Sequence, residues 1–273
     1  MSWTSLRIRS PQRRDEVIAV LFAAGAEGVH EDGHDLVTHF PDSVAVDDVV
    51  QAVEALVPDC DWVTTPTPDV DWSLAWRDRT RAFSVGAISV APPWLAEGFE
   101  THRTVIIDPG MAFGTGDHAS TRGALRLMQT SLNPGVVVAD LGAGSAVLSI
   151  AAAKLGASSV FAIELDPDAI GNAQANIERN GVQDSVHLFE GDAATLLPLV
   201  APVDLILANI ISSVLVDLLA TMARCLPSGG RAVLAGILAE ERASILEVAE
   251  ADGWSVVGED QEEGWWSVAL ARP

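Results

Sequence analysis

The 273-residue sequence has two cysteines, one lysine and no long apolar segment. Cys60 and Cys225 show neither metal-binding spacing nor a framework of pairs, so they are interpreted as buried thiols in a reducing cytoplasm. No run approaches the roughly eighteen consecutive apolar residues of a membrane-spanning helix. The first residues lack the basic segment and apolar stretch that a secretory signal needs. These absences favour a cytoplasmic protein that does not enter membranes.

Positive charge is scarce throughout the chain. Lys154 is the only lysine, and 16 basic residues face 38 acidic ones, for a net charge of −22. Such a charge repels a phosphate backbone, which argues against direct nucleic-acid binding, and it attracts a basic partner. Adaptation to solubility or salt explains the same charge equally well. Charge alone therefore does not identify the partner.

The first 65 residues are predicted to form a small α+β domain. Alternation and helical periodicity predict strands over 3–9, 28–31, 36–40 and 61–64, and helices over 11–24 and 46–57. The order strand–helix–strand–strand–helix–strand is typical of a ferredoxin-like domain. This fold alone assigns no function.

A linker over residues 66–95 is predicted to precede a larger domain. Its proline-containing start indicates a stiff spacer, and residues 71–77 are predicted to form a short helix with Trp72 and Trp76 on one face. Over residues 96–273, buried strands alternate with amphipathic helices, which predicts an α/β domain with a doubly wound parallel sheet. Such sheets bind ligands at the carboxyl ends of their strands.

A glycine-rich turn follows the first strand of this larger domain. Gly142 and Gly144 let the backbone approach a ligand closely, and the next helix offers free N–H groups, as at a nucleotide site. A dinucleotide fingerprint needs a small residue where Val147 stands, and the carboxylate of Asp140 would repel a pyrophosphate. Asp140 is compatible with the ammonium group of S-adenosylmethionine. The turn therefore favours S-adenosylmethionine, with NAD as the alternative.

Acidic residues follow the next two strands. Glu164 lies 22 residues after Gly142 and is placed to accept hydrogen bonds from ribose hydroxyls. A solvated acid at a strand end is the alternative interpretation. Asp192, after the third strand, is placed to meet an adenine amino group.

The segment 108–121 carries three glycines in seven residues, with Phe113 between them, which predicts a loop. The hydroxyls of Ser120 and Thr121 open the following helix, where they cap it or bind a ligand carboxylate. The segment is no phosphate loop, because no lysine follows its last glycine. His118 with Asp117 could mimic a catalytic dyad, but such a histidine more often orders a loop, and it is interpreted in that way. The sequence shows no metal cluster or Ser-His-Asp arrangement.

Asn209 ends the fourth buried strand, where an asparagine is unfavourable unless its amide has partners. Its carbonyl oxygen can accept a hydrogen bond from an attacking amine and orient the nitrogen lone pair toward a methyl group. Asn209 is therefore the candidate catalytic residue.

Together these stretches resemble the methyltransferase family of large-subunit ribosomal protein L11. The most specific piece is residues 108–116, Asp-Pro-Gly-Met-Ala-Phe-Gly-Thr-Gly, supported by Asn209-Ile210 and by Leu-Ala-Gly-Ile-Leu at 234–238. The resemblance covers essentially the whole chain. It implies a class I methyltransferase fold, S-adenosylmethionine as cofactor, and methylation of lysine side chains and the N-terminal amine of L11. It also implies that the small domain recognises this basic ribosomal protein.

The family's cofactor contacts fall on Thr121, Gly142, Glu164 and Asn209, and the predicted cofactor site also includes Phe113, Gly144 and Asp192. The chain departs from the usual family pattern at Asp117, Ala119, Ala146 and Glu164. These departures leave open a paralogue that methylates another protein or a small molecule. An NAD-dependent oxidoreductase and a non-catalytic, cofactor-binding partner of the ribosome are the alternatives of other classes.

Overall fold

The structure is a computed structural model that describes residues 3–9, 13–26, 28–58, 60–67, 80–108 and 117–272. The chain divides into two compact units, Met1–Arg79 and Thr80–Pro273. Across the described residues, no helix has the length and apolar character that a bilayer crossing requires.

The first unit is a four-stranded antiparallel sheet covered by two helices. Its elements are β1 (Trp3–Arg9), α1 (Arg14–Ala23), β2 (Val29–Asp32), β3 (Asp35–Pro41), α2 (Val46–Leu56) and β4 (Asp61–Thr67). The sheet order is β2-β3-β1-β4. Alternate strand residues such as Leu6, Ile8 and Phe40 point to the helices and are fully buried. The element order is the ferredoxin-like one that the sequence predicts.

The second unit contains a small and a large sheet. Its strands are β5 (Phe83–Val85), β6 (Ile88–Ala91), β7 (Thr104–Ile106), β8 (Val137–Leu141), β9 (Ser159–Glu164), β10 (Val186–Glu190), β11 (Leu205–Asn209), β12 (Arg231–Leu238), β13 (Ser255–Glu262) and β14 (Trp265–Ala271). Its helices are α3 (Ala119–Ser131), α4 (Val147–Lys154), α5 (Pro167–Arg179), α6 (Ala193–Val200), α7 (Ser212–Cys225) and α8 (Arg242–Ala251). Strands β5, β6 and β7 form the small sheet.

The large sheet has the order β10-β9-β8-β11-β12-β14-β13. Strands β8 to β12 are parallel, and β14 runs antiparallel to both β12 and β13. The strand order reverses between β8 and β11, which opens a crevice at the carboxyl edge of the sheet. This arrangement confirms the predicted doubly wound α/β fold.

Helices cover both faces of the large sheet. Successive strand residues point to opposite faces, so Val138 and Leu207 pack with α3, α4 and α5, whereas Ala139, Leu141 and Ile206 pack with α6, α7 and α8. The continuous apolar runs of these strands are therefore buried on both sides, as expected for a parallel sheet.

Two strands lie within the segment 66–95 that the sequence assigns to the linker. Strands β5 and β6 belong to the second unit, and Val85, Ile88 and Val90 join its core. The predicted helix over 71–77 lies outside the described residues. The domain boundaries at 65 and 95 stay predictions.

Candidate active site

A cavity of about 520 Å³ opens at the carboxyl edge of the large sheet. Five of the predicted site residues line it: Gly142, Gly144, Glu164, Asp192 and Asn209. They follow β8 and β10 or end β9 and β11, so the shared direction of the parallel strands brings them together. The predicted residue Phe113 lies outside the described part of the chain.

Two glycines hold the turn that follows Asn209. A Cβ on Gly142, which has φ +71°, would lie 2.2 Å from Cγ2 of Ile210. A Cβ on Gly236, which has φ +81°, would lie 2.5 Å from the carbonyl oxygen of Ile210. Both positions also require a left-handed backbone, which glycine adopts without strain. Ile210 therefore fits between two backbone segments, the turn after β8 and strand β12, where a side chain in place of glycine would overlap it.

The side-chain amide of Asn209 is oriented by Thr121. Nδ2 of Asn209 donates to Oγ1 of Thr121 at 3.1 Å. Thr121 lies in the first turn of α3 and is 2% exposed. It lies behind Asn209 and is not among the residues that line the cavity. The amide oxygen of Asn209 has no hydrogen-bond partner among the described residues, so it can serve an incoming N–H donor.

Glu164 joins the glycine turn to the end of β9. Its Oε2 accepts from the backbone N–H of Gly144 at 2.7 Å, and its Oε1 accepts from that of Asp166 at 2.8 Å. Each carboxylate oxygen keeps a further lone pair for another donor. The side chain therefore orders the turn and can accept from ribose hydroxyls at the same time.

Asp140 lies beneath the glycine turn and not in the cavity. It is 1% exposed and accepts from Oγ of Ser149 at 2.6 Å. Burial raises the pKa of this carboxyl to about 6, against the opposing hydrogen bonds from Ser149. From this buried position Asp140 does not reach the cavity, so it offers no direct contact to the ammonium group of a bound ligand.

Asp192 caps helix α6 at the rim of the cavity. Its Oδ1 accepts from the backbone N–H of Ala194 at 3.0 Å, which satisfies a donor that the helix leaves open. Its contact with an adenine amino group stays a prediction.

Two aromatic rings line the cavity beyond Asn209. His118 caps α3, with its Nδ1 2.8 Å from Oγ of Ser120, in agreement with an ordering role. The ring of Trp265 lies 4.7 Å from that of His118, with 71° between the planes. The sequence did not indicate Trp265, because it lies in a hairpin that periodicity did not predict.

Asparagines on α5 anchor the chain on the amino side of the segment 109–116. Asn176 is fully buried. Its Oδ1 accepts from the N–H of Asp108 at 2.9 Å, and its Nδ2 donates to the carbonyl oxygens of Asp108 at 3.3 Å and Ser145 at 3.2 Å. Asn180 pairs with both backbone groups of Ile106. The four-residue spacing of these asparagines was the available sequence signal, and the sequence analysis missed it.

The sheet order, the glycine turn after its first parallel strand and the acid ending the next strand define the class I methyltransferase fold. The chain belongs to the ribosomal protein L11 methyltransferase (PrmA) family, whose family model matches residues 2–273. The family resemblance found in the sequence is thereby confirmed.

Individual relatives agree with the family assignment. The chain is 41% identical over 208 residues to the ribosomal protein L11 methyltransferase of Symbiobacterium thermophilum, and 34% identical over 203 residues to that of Carboxydothermus hydrogenoformans. Each match covers 74% of this chain but 66% of the relative, just under two thirds of its length. A crystal structure of ribosomal protein L11 methylase from Lactobacillus delbrueckii subsp. bulgaricus matches with a TM-score of 0.64 and 26% identity, over 71% of this chain and 99% of that chain.

Proposed function

We propose that this protein transfers methyl groups from S-adenosylmethionine to amino groups of ribosomal protein L11 in the cytoplasm. The observation that carries the proposal is the side chain of Asn209, which lines the cavity. Thr121 binds its Nδ2, and its amide oxygen has no hydrogen-bond partner among the described residues. The names of the relatives support L11 as the substrate. The net charge of −22 suits a basic protein partner.

The residues present fit the cofactor. The carboxylate of Glu164 accepts from the backbone N–H of Gly144 and keeps further lone pairs that can accept from ribose hydroxyls. Asp192 lines the same cavity, where its carboxylate can accept from an adenine amino group. When bound, S-adenosylmethionine supplies an electrophilic methyl group on a sulfonium, so that the N–C bond forms as the C–S bond breaks and leaves a thioether.

Asn209 orients the acceptor amine. An amine can attack only after it has lost its proton, and free lysine has a pKa of roughly 10.4. The cavity beside Asn209 is lined by the apolar side chains of Ile210, Ile211 and Val214. Burial among them lowers the pKa of an entering amine, because it disfavours the charged form. The carbonyl oxygen of Asn209 then accepts from an N–H of the neutral amine and aims its lone pair, while the released proton passes to solvent. Positioning of this kind supplies most of the rate.

The test compares two asparagine-to-alanine variants with the wild-type protein. Asn209→Ala should lower methyl transfer to purified L11 by about 100-fold or more, measured by intact mass. Binding of S-adenosylhomocysteine should fall less, because Asn209 is one of several predicted cofactor contacts. Asn133→Ala makes the same chemical change at an exposed residue before β8, at the opposite edge of the sheet, and should leave transfer unchanged.

Other outcomes separate the alternatives. Full transfer by Asn209→Ala would refute the role of this residue. Cofactor binding without label on any ribosomal protein would favour a non-catalytic partner, and label on a different acceptor would favour a paralogue. Binding of NAD in place of S-adenosylhomocysteine would overturn the proposed function.

A further inference from the structure

Trp265 gives the cavity an aromatic wall. It begins β14, where backbone pairing with Leu238 of β12 and Glu262 of β13 fixes its position. The side chain is half-buried and lines the same cavity as Asn209. Its ring is further held by the edge-on contact with His118. Trp265 is therefore a fixed part of the cavity surface.

The aromatic wall and Asn209 lie at the same end of the cavity. His118 contacts Trp265, and Thr121 binds the amide of Asn209. Positions 118 and 121 are three residues apart at the start of α3, which corresponds to roughly 4.5 Å along the helix axis. Glu164 ends β9 and Asp192 follows β10, on the other side of the point where the strand order reverses. The aromatic wall thus borders the space for the acceptor and not the space for the ribose.

The lining of the cavity carries no lysine or arginine of the described chain that would repel a cationic guest. Among the described residues, its charged lining consists of Glu164 and Asp192. The face of an indole ring is its negative side, and tryptophan is the aromatic residue that attracts cations best.

We propose that Trp265 forms a subsite for the alkylated ammonium head of the acceptor, an inference that rests on the proposed function. An alkylated amine carries a positive charge at neutral pH. Asn209 can hold an acceptor only while its nitrogen bears a hydrogen. A quaternary head has none, so its binding depends on the aromatic ring and the apolar wall. The subsite therefore retains the acceptor as methyl groups accumulate on it.

Choline and 3,3-dimethylbutan-1-ol test this subsite directly. The two molecules have the same shape, and only choline is charged. Titrations followed through indole N–H signals in NMR spectra, with and without S-adenosylhomocysteine, give both dissociation constants. Choline should bind tighter by about 2- to 30-fold. Trp265→Leu should abolish this ratio, and Trp265→Phe should keep part of it.

A matched control replaces a tryptophan outside the cavity. Trp94 is half-buried in the same unit and does not line the cavity, so Trp94→Leu should keep the wild-type ratio. Equal binding of both molecules to the wild-type protein, or an unchanged ratio in Trp265→Leu, would overturn the proposal. If Trp265→Leu does not fold, the proposal is tested by the ratio of the two dissociation constants in the wild-type protein and in Trp265→Phe.

This binding test is independent of methyl transfer. A protein that prefers choline but leaves L11 unmodified would keep the subsite and lose the proposed function. A protein that methylates L11 but binds both molecules equally would keep the function and refute the subsite.

Discussion

Replacing Asp140 by asparagine measures how the buried carboxyl under the glycine turn affects stability. Burial raises its pKa from 3.8 to about 6, with a further contribution from the charge of Glu164. Between these two values the unfolded chain has released the proton while the folded protein still binds it. Folding is therefore opposed as the pH rises through this window, and the penalty is complete above about pH 6.

The size of the effect follows from the two pKa values. A shift of about 2.2 units corresponds to a penalty of about 3 kcal/mol at neutral pH. Between pH 5 and 7.5 the wild-type protein should lose about 1.4 kcal/mol of this contribution. Asp140→Asn removes the titration, so its free energy of unfolding should gain about 1.4 kcal/mol relative to the wild-type protein over the same range. Any unpaired N–H that the substitution introduces changes the free energy of unfolding by the same amount at pH 5 and at pH 7.5.

Urea unfolding followed by tryptophan fluorescence, at half-unit steps from pH 5 to 7.5, provides the measurement. Asp184→Asn, at an exposed position, controls for the loss of one negative charge from the chain. A difference between Asp140→Asn and the wild-type protein that stays constant with pH would refute the reasoning, because the carboxyl would then titrate alike in both states.

Two further predictions concern the frame of the site. Gly229→Ala should cost roughly 1–2 kcal/mol through its left-handed backbone alone, since no atom lies within 4 Å of the added Cβ. Gly236→Ala should cost more and also reduce transfer, because its Cβ overlaps the carbonyl of Ile210; equal losses in urea unfolding would contradict this. Asn176→Ala should lower the free energy of unfolding by about 2–4 kcal/mol, and a loss no larger than that of the exposed Asn133→Ala would show that the buried bonds matter little.

The sequence predicted most of the large sheet and the residues gathered at its edge. Continuous apolar runs mark strands that are buried on both faces, and β8, β9, β11 and β12 are of this kind, whereas the edge strand β10 is largely exposed. Because parallel strands end at one edge, residues that follow different strands meet there. Gly142, Glu164 and Asn209 line one cavity for this reason. Their residue types and their approximate location were therefore readable without a structure.

Elements supported by distant partners were missed. Strand β13 contains Glu259, Asp260 and Glu262, which do not read as a strand. In the structure Arg126 pairs with Asp260 at 2.7 Å, and Arg242 pairs with Glu259 at 2.7 Å. The arginines lie on α3 and α8, and neither contact has a local signature. Helix α6 was missed for another reason, since it contains an internal proline.

The direction of the amide of Asn209 is a property of the assembled site. Thr121, which orients the amide, is 88 residues away in the sequence. Gly142 and Gly236, which make room for Ile210, come from the turn after β8 and from β12. An asparagine at the same strand end without the threonine could turn its N–H group to the cavity, and it would then repel an amine N–H instead of accepting it. The direction of the accepting oxygen therefore depends on these contacts as well as on the residue type at position 209.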